Sequence, residues 1–133
     1  MLGRLNHVAI AVTDLKSATN TYRDILGAKV GEPLDQPEHG VTVVFIELPN
    51  TKVELITPLG GNSPIFNFLN KNKNGGIHHI CYEVKNLELS INILMKNNYK
   101  IIGDNPKIGA HGKPVIFLHP SGFDGTLIEL QEE

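Results

Sequence analysis

The sequence has no tryptophan, one cysteine and no strong bias of charge. A lone Cys81 excludes a disulfide framework and fits a reducing compartment. Lys+Arg number 12 against Asp+Glu 14, a formal net charge of -2, so no single-signed field points to nucleic acid or an anionic membrane as the main partner. Any anionic ligand must be held by local contacts. No apolar run approaches the roughly 18 to 20 residues of a bilayer-spanning helix; the longest resemble Val8-Ala9-Ile10-Ala11-Val12. Strand-like alternation begins at Leu5, so no signal or transit peptide is expected within these residues. The cytoplasm is therefore the expected location, with the mitochondrial matrix after loss of a leader as the alternative.

What remains is an ordinary globular composition, 41% hydrophobic and 20% charged over 133 residues. A single domain over residues 1–133 is expected, large enough to fold without a metal or disulfide staple. A metal, if bound, would serve chemistry.

The chain repeats itself at an offset of 72, with residues 5–47 lying over 77–119. Identities fall at His7/His79, Val12/Val84, Leu15/Leu87, Asn20/Asn92, Gly31/Gly103, His39/His111, Gly40/Gly112, Val43/Val115 and Phe45/Phe117. Composition alone would give about two or three. Beyond residue 47 the second copy gains three residues, and Thr51–Leu55 matches Thr126–Leu130 at an offset of 75.

Each copy reads as strand, helix and three strands. Residues 5–12 alternate as a strand. Asp14 stands at an N-cap position, and Leu15, Ala18, Tyr22, Ile25 and Leu26 share one helical face before Gly27. A short strand at Lys29-Val30, a loop containing Pro33 and Pro37, and a hairpin of 41–48 and 52–57 around Pro49-Asn50 complete the unit. The second copy predicts a strand at 78–84, a helix over about 87–97, a strand near Ile101-Ile102, and strands at 114–119 and 126–131. Ser63-Pro64 caps a linker helix that ends at Asn74-Gly75-Gly76. The expected fold class is α+β. Two βαβββ modules, about 5–57 and 77–131, would be joined by a linker helix of about 64–73 and related by a pseudo-twofold axis as an open, barrel-like cup.

Alternation assigns the faces. Val8, Ile10 and Val12 should take the helix, leaving His7, Ala9 and Ala11 inward. In the second copy Ile80, Tyr82 and Val84 take the helix, His79, Cys81 and Glu83 face in, and His78 points away. A two-residue turn at Pro49-Asn50 would set Phe45 opposite Glu54 and Val43 opposite Ile56. Glu54 then joins the inward face, as does its repeat mate Glu129. His7, Glu54, His79 and Glu129 make an N2O2 set suited to Zn, Co, Ni, Mn or Fe. Two carboxylates in a half-buried site would repel without a divalent cation between them.

Other residues carry blander readings. Glu47 and His119 are repeat mates on the inward face, but Glu47 should lie opposite Lys52, where a surface ion pair accounts for it. His39 and His111 begin strands beside glycines, a turn-packing position. Cys81 reads as small core filler. Lys71, Lys73, Lys107 and Lys113 are available cations for a phosphate-bearing ligand, although no glycine-rich phosphate loop precedes a helix.

Several stretches carry a more specific resemblance: Leu5–Val12, Glu38–Val41, Glu54–Leu59, Ser63-Pro64-Ile65 with Phe68-Leu69, Gly75–Ile80, Lys107–Pro114, Phe117–Pro120 and Leu127–Leu130. Over nearly the whole chain the sequence resembles the vicinal oxygen chelate superfamily. Its paired modules hold a divalent metal and bind substrates through two neighbouring oxygens. The run from Lys107 to Pro120 is similar to the branch of epimerases that act on methylmalonyl-CoA. The resemblance implies an enzyme that inverts C2 of this small-molecule acyl-CoA through an enolate whose charge a divalent ion, cobalt or another first-row metal, offsets. It also implies a homodimer, with neither nucleic acid nor membrane as partner. Inversion needs a base on each face of the planar intermediate. The resemblance makes Glu129 both a metal ligand and one base. Some members place a glutamate where this chain has Val43 and an amide where it has Glu54, so Glu54 is read as second base as well as ligand, with Glu47 or a water as alternatives. A glyoxalase I-type lyase using the same four ligands, and a metal-free small-molecule-binding module of the same fold, are the competing functions. A ring-cleaving dioxygenase normally needs two His and one carboxylate, which would leave Glu54 unexplained.

Overall fold

The computed structural model describes all 133 residues, in two compact units. One comprises His7–His78, and the other Met1–Asn6 with His79–Glu133. No helix is long and apolar enough to cross a membrane.

In the first unit, strand β1 (Leu2–Ala11, of which His7 onward belongs here) leads into helix α1 (Leu15–Asn20). Strands β2 (Lys29–Val30), β3 (Leu34–Gln36), β4 (Val41–Glu47) and β5 (Lys52–Pro58) follow, and then helix α2 (Ile65–Lys71). β5 lies between β1, to which it is parallel, and β4, to which it is antiparallel. β2 and β3 both pair with the outer side of β4. The turn at Pro49-Asn50 is closed by the Leu48 N–H donating to the Thr51 carbonyl at 3.0 Å. This sets Phe45 opposite Glu54, Val43 opposite Ile56 and Glu47 opposite Lys52, as the alternation requires.

α1 starts where Asp14 accepts the Ser17 N–H at 2.9 Å, and Leu15, Ala18 and Tyr22 lie on Val44, Ile46 and Leu55. Ile25 and Leu26, expected on that same face, are instead 79% and 64% exposed. Residues Thr21–Ile25 form a π-helical turn, with the Leu26 N–H bonded to the Thr21 carbonyl. A π turn inserts one extra residue into the helical repeat and rotates everything after it off the α-helical stripe. Ala28 and Val30 complete the cover instead. β3 is a second departure, since its prolines read as a loop. Pro33 and Pro37 flank the strand without entering it, so no ladder hydrogen bond is lost.

α2 runs from Ile65, with Ser63 Oγ accepting the Ile65 N–H at 3.3 Å. At the end of the linker, Gly75 has φ +81° and its backbone is pressed on the Ala11 carbonyl, so a Cβ would collide there. Only glycine meets both demands.

The second unit repeats this order. β6 (Gly76–Val84, from His79 onward here) precedes α3 (Leu87–Lys96), β7 (Ile101–Ile108), β8 (Pro114–Leu118) and β9 (Ile128–Glu132). β9 lies parallel to β6 and antiparallel to β8, and β7 pairs with β8. Asn86, the repeat mate of Asp14, caps α3 by accepting the Leu89 N–H at 2.8 Å. Val84, Leu87, Ile116, Leu118, Ile128 and Leu130 form the core beneath that helix. β7 is longer than the two residues expected and spans a register shift between Ile102 and Lys107. Such a bulge lets a strand carry Gly103, Asp104, Asn105 and Pro106 and then resume pairing.

Candidate active site

In the first unit β1 and β5 are in parallel register with Ala9 beside Glu54, so His7, two residues before Ala9, shares the face of Glu54. His7 Nε2 lies 3.2 Å from Glu54 Oε2, with side chains only 2% and 8% exposed. Ala9 and Ala11 are fully buried beside them, and the small methyl groups leave the imidazole the space over the strand. Phe45, opposite Glu54, turns its ring edge to His7 at 6.1 Å and 73°.

The second unit builds the same pair from the repeat mates. β6 and β9 place Cys81 beside Glu129, and 9 + 72 = 81 while 54 + 75 = 129, so the strand register is conserved between the repeats. His79 Nε2 lies 3.0 Å from Glu129 Oε2, the side chains 5% and 8% exposed. Phe117, opposite Glu129, meets the His79 ring edge-on at 5.2 Å and 88°. Each half thus presents one imidazole nitrogen and one carboxylate oxygen side by side on a buried face. Burying an unpaired carboxylate is costly. Here no buried side-chain nitrogen or oxygen lacks a partner.

The remaining candidates fall as follows. His78 faces away from the site and sets its ring against Phe68 of α2, 5.0 Å off. Glu47 is exposed opposite Lys52. His119, expected on the inward face, is exposed; its Nδ1 accepts the Ser121 N–H at 3.1 Å and so caps the short 3-10 turn Pro120–Gly122. The three residues added between β8 and β9 create this turn, which takes His119 off the strand. Cys81 is fully buried in the small position that Ala9 occupies in the other half. Lys71, Lys73 and Lys107 are exposed, and Lys113 Nζ donates to the Glu133 carbonyl at 3.1 Å.

Two further buried polar side chains, Glu83 and Gln131, have partners outside the His–Glu pairs. Glu83 is buried and accepts two hydrogen bonds from Arg4, at 3.1 and 3.0 Å, and one from Asn6 Nδ2 at 2.9 Å. The hydrogen bonds and charge of Glu83 raise the Arg4 pKa. Gln131 is buried on the Glu129 face of β9, its Oε1 3.2 Å from His111 Nδ1. The alternation Ile128-Glu129-Leu130-Gln131 already placed that amide beside the glutamate; it was the missed signal.

The repeated βαβββ order and the His–Glu pair on the first and last strands define a recognisable class. Residues 6–117 match the glyoxalase/bleomycin resistance protein/dioxygenase superfamily, and the chain belongs to it. Members of this superfamily typically bind a divalent metal. Among named relatives, the chain is 59% identical to the ethylmalonyl-CoA/methylmalonyl-CoA epimerase of Cereibacter sphaeroides, covering 99% of both chains. It is 57% identical to the mitochondrial methylmalonyl-CoA epimerase of Bos taurus over 98% of this chain and 75% of that one. Its fold matches that of a Streptomyces coelicolor methylmalonyl-CoA epimerase variant in complex with 2-nitronate-propionyl-CoA, with a TM-score of 0.93 and 26% identity, covering 100% of this chain and 99% of that one.

Proposed function

We infer that the chain is an isomerase that interconverts the R and S forms of methylmalonyl-CoA by removing the C2 proton and returning it from the opposite side. The observation that carries this reading is the 59% identity, end to end, with an epimerase of that substrate. The chemistry of the site agrees with it. C2 lies between a thioester and a carboxylate, which acidify its proton, and a carboxylate base is matched to such a transfer when placed within hydrogen-bond reach.

His7, Glu54, His79 and Glu129 are proposed to hold one divalent ion, cobalt or another first-row metal. The donor set fits: two imidazole nitrogens and two carboxylate oxygens, each pair already at 3.0 to 3.2 Å on rigid strands. When bound, the ion would supply Lewis-acid stabilisation of negative charge developing on the substrate oxygens. Glu129 and Glu54 are the two bases in this reading, one taking the proton from C2 and the other delivering a proton to the opposite face. Phe45 and Phe117, edge-on to the histidines, limit how those rings turn. The enzyme is read as one 133-residue domain that works as a cytoplasmic homodimer.

The test is deuterium incorporation at C2 of methylmalonyl-CoA in heavy water, with and without chelator. Exchange from both enantiomers that is lost on chelation and restored by cobalt is expected; no exchange by the metal-supplied protein rejects the reading. Glu54→Gln should keep the metal and lose exchange from one enantiomer only. Unchanged exchange from both would remove Glu54 as a base.

A further inference from the structure

We propose that a hollow on the helix side of the second unit is a binding site for a small molecule with an apolar body and an ammonium end. The hollow measures about 400 Å³, within the roughly 300 to 1,000 Å³ of small-molecule sites. All its lining residues belong to that one unit. Ile80, Leu118, Ile128 and Leu130 are the strand residues that form its floor, and Leu94 of α3 and Phe123 are among its walls. Along their strands the floor residues alternate with His79, Phe117 and Glu129. The hollow therefore lies on the opposite face of the sheet from the His79–Glu129 pair and is distinct from the site that would carry epimerisation.

Two departures from the first half make this space. The repeat mate of Leu94 is Tyr22, which packs on Val44, Ile46 and Leu55; leucine is the smaller side chain and leaves volume unfilled. The second departure is the insertion of three residues between β8 and β9. They build the turn that brings Phe123 and Asp124 to the hollow, where the first half has only the tight turn at Pro49-Asn50. The first half thus shows that the module can close this space with its own side chains. In the second half apolar walls are left for a ligand to cover, and covering them is favourable.

The inserted turn also sets the charge of the ligand. Asp124 stands exposed at the rim with a left-handed backbone, φ +53°, followed by Gly125 at φ +79°. The Phe123 and Gly125 N–H groups both donate to the Pro120 carbonyl at 3.0 Å, which holds the turn in that form. Asp124 is in no ion pair, and no lysine or arginine lines the hollow. Tyr82 and Thr126 add hydroxyl groups to the lining, while Met1 and Leu2 bound it with apolar side chains. An ammonium group complements that carboxylate, and an anion is repelled by it.

The experiment titrates the full chain with 2-phenylethylamine and with phenylacetate, an aromatic body of the same kind carrying the opposite charge, and follows the amide NMR shifts of Leu94, Phe123 and Thr126. Saturable shifts with the amine are expected, with phenylacetate bound several-fold more weakly. Asp124→Asn should weaken the amine by roughly twofold to fivefold, the contribution of an exposed ion pair, and narrow its advantage over phenylacetate. Leu94→Tyr, which installs the residue of the first half, should weaken both probes at least tenfold, and Leu94→Phe does the same service if the tyrosine variant does not fold. No saturable binding of the amine, equal affinity for the two probes, or unchanged affinity in the Leu94 variants would overturn the proposal. So would a Leu94 variant that alters sedimentation while probe binding stays the same, which would make the hollow a contact between copies of the chain. A failure of C2 exchange bears on the epimerase reading alone.

Discussion

The two halves share their ligand pairs but not their surroundings. His7 with Glu54 and His79 with Glu129 stand in the same register on corresponding strands, beside Phe45 and Phe117 at corresponding positions. Around them the first half is apolar, with Ala9, Ala11 and Ile56, where the second has Cys81, Glu83 and Gln131. On the helix side Tyr22 of the first half becomes Leu94 in the second, which lines a cavity of about 400 Å³ together with Ile80, Tyr82 and Phe123. What is duplicated is the part that two equal partners can supply, an imidazole and a carboxylate each. What differs is the lining around each pair, apolar in the first half and carrying hydrogen-bonded polar groups in the second.

The largest effects should come from the shared groups. Glu54→Ala and Glu129→Ala should each lower epimerisation by roughly 10²- to 10⁴-fold, the usual contribution of a general acid or base. Steady-state rates from each enantiomer would show whether the two halves are equivalent, and a loss confined to one half would break the comparison.

Next come the cores. Leu55 and Leu130 are repeat mates, 0% and 1% exposed under their respective helices. Leu55→Ala and Leu130→Ala should each cost about 2–5 kcal/mol in urea unfolding. Equal losses would show that the modules contribute alike to stability, whereas the unequal helix-side packing should make the two differ within that range.

The smallest effects lie at the caps. Asp14→Ala and Asn86→Ala each remove one side-chain acceptor, for Ser17 N–H and Leu89 N–H. Each should cost about 1 kcal/mol. Thermal unfolding of both variants with metal supplied would read it, with little change expected in the C2 exchange rate because both residues are helix N-caps, outside the strands that carry the His–Glu pairs.

Much of this was legible from residue order because period and duplication agree. His7 and Glu54 fall on one face by counting in twos, and a second copy at a fixed offset repeats the count. The failures share a cause. Ile25 and Leu26 left the helical stripe because a π turn changes phase without leaving a mark in residue type. β3 and the extension of β7 were invisible because Pro33, Pro37, Gly103 and Pro106 read as loop until a partner strand supplies hydrogen bonds. His119 left the inward face because three residues inserted after it fold back onto its ring.

Sequence alone determined the module, its duplication, the sides of each strand and the four residues worth watching, since these depend on local periodicity that every chain of this order must obey. Only the folded chain decided how close each imidazole comes to its carboxylate, that Gln131 is spent on His111, and that Glu83 is answered by Arg4 and Asn6. Those pairings join residues far apart along the chain, and their distances are set by sheet register and packing together, which no single stretch of sequence contains.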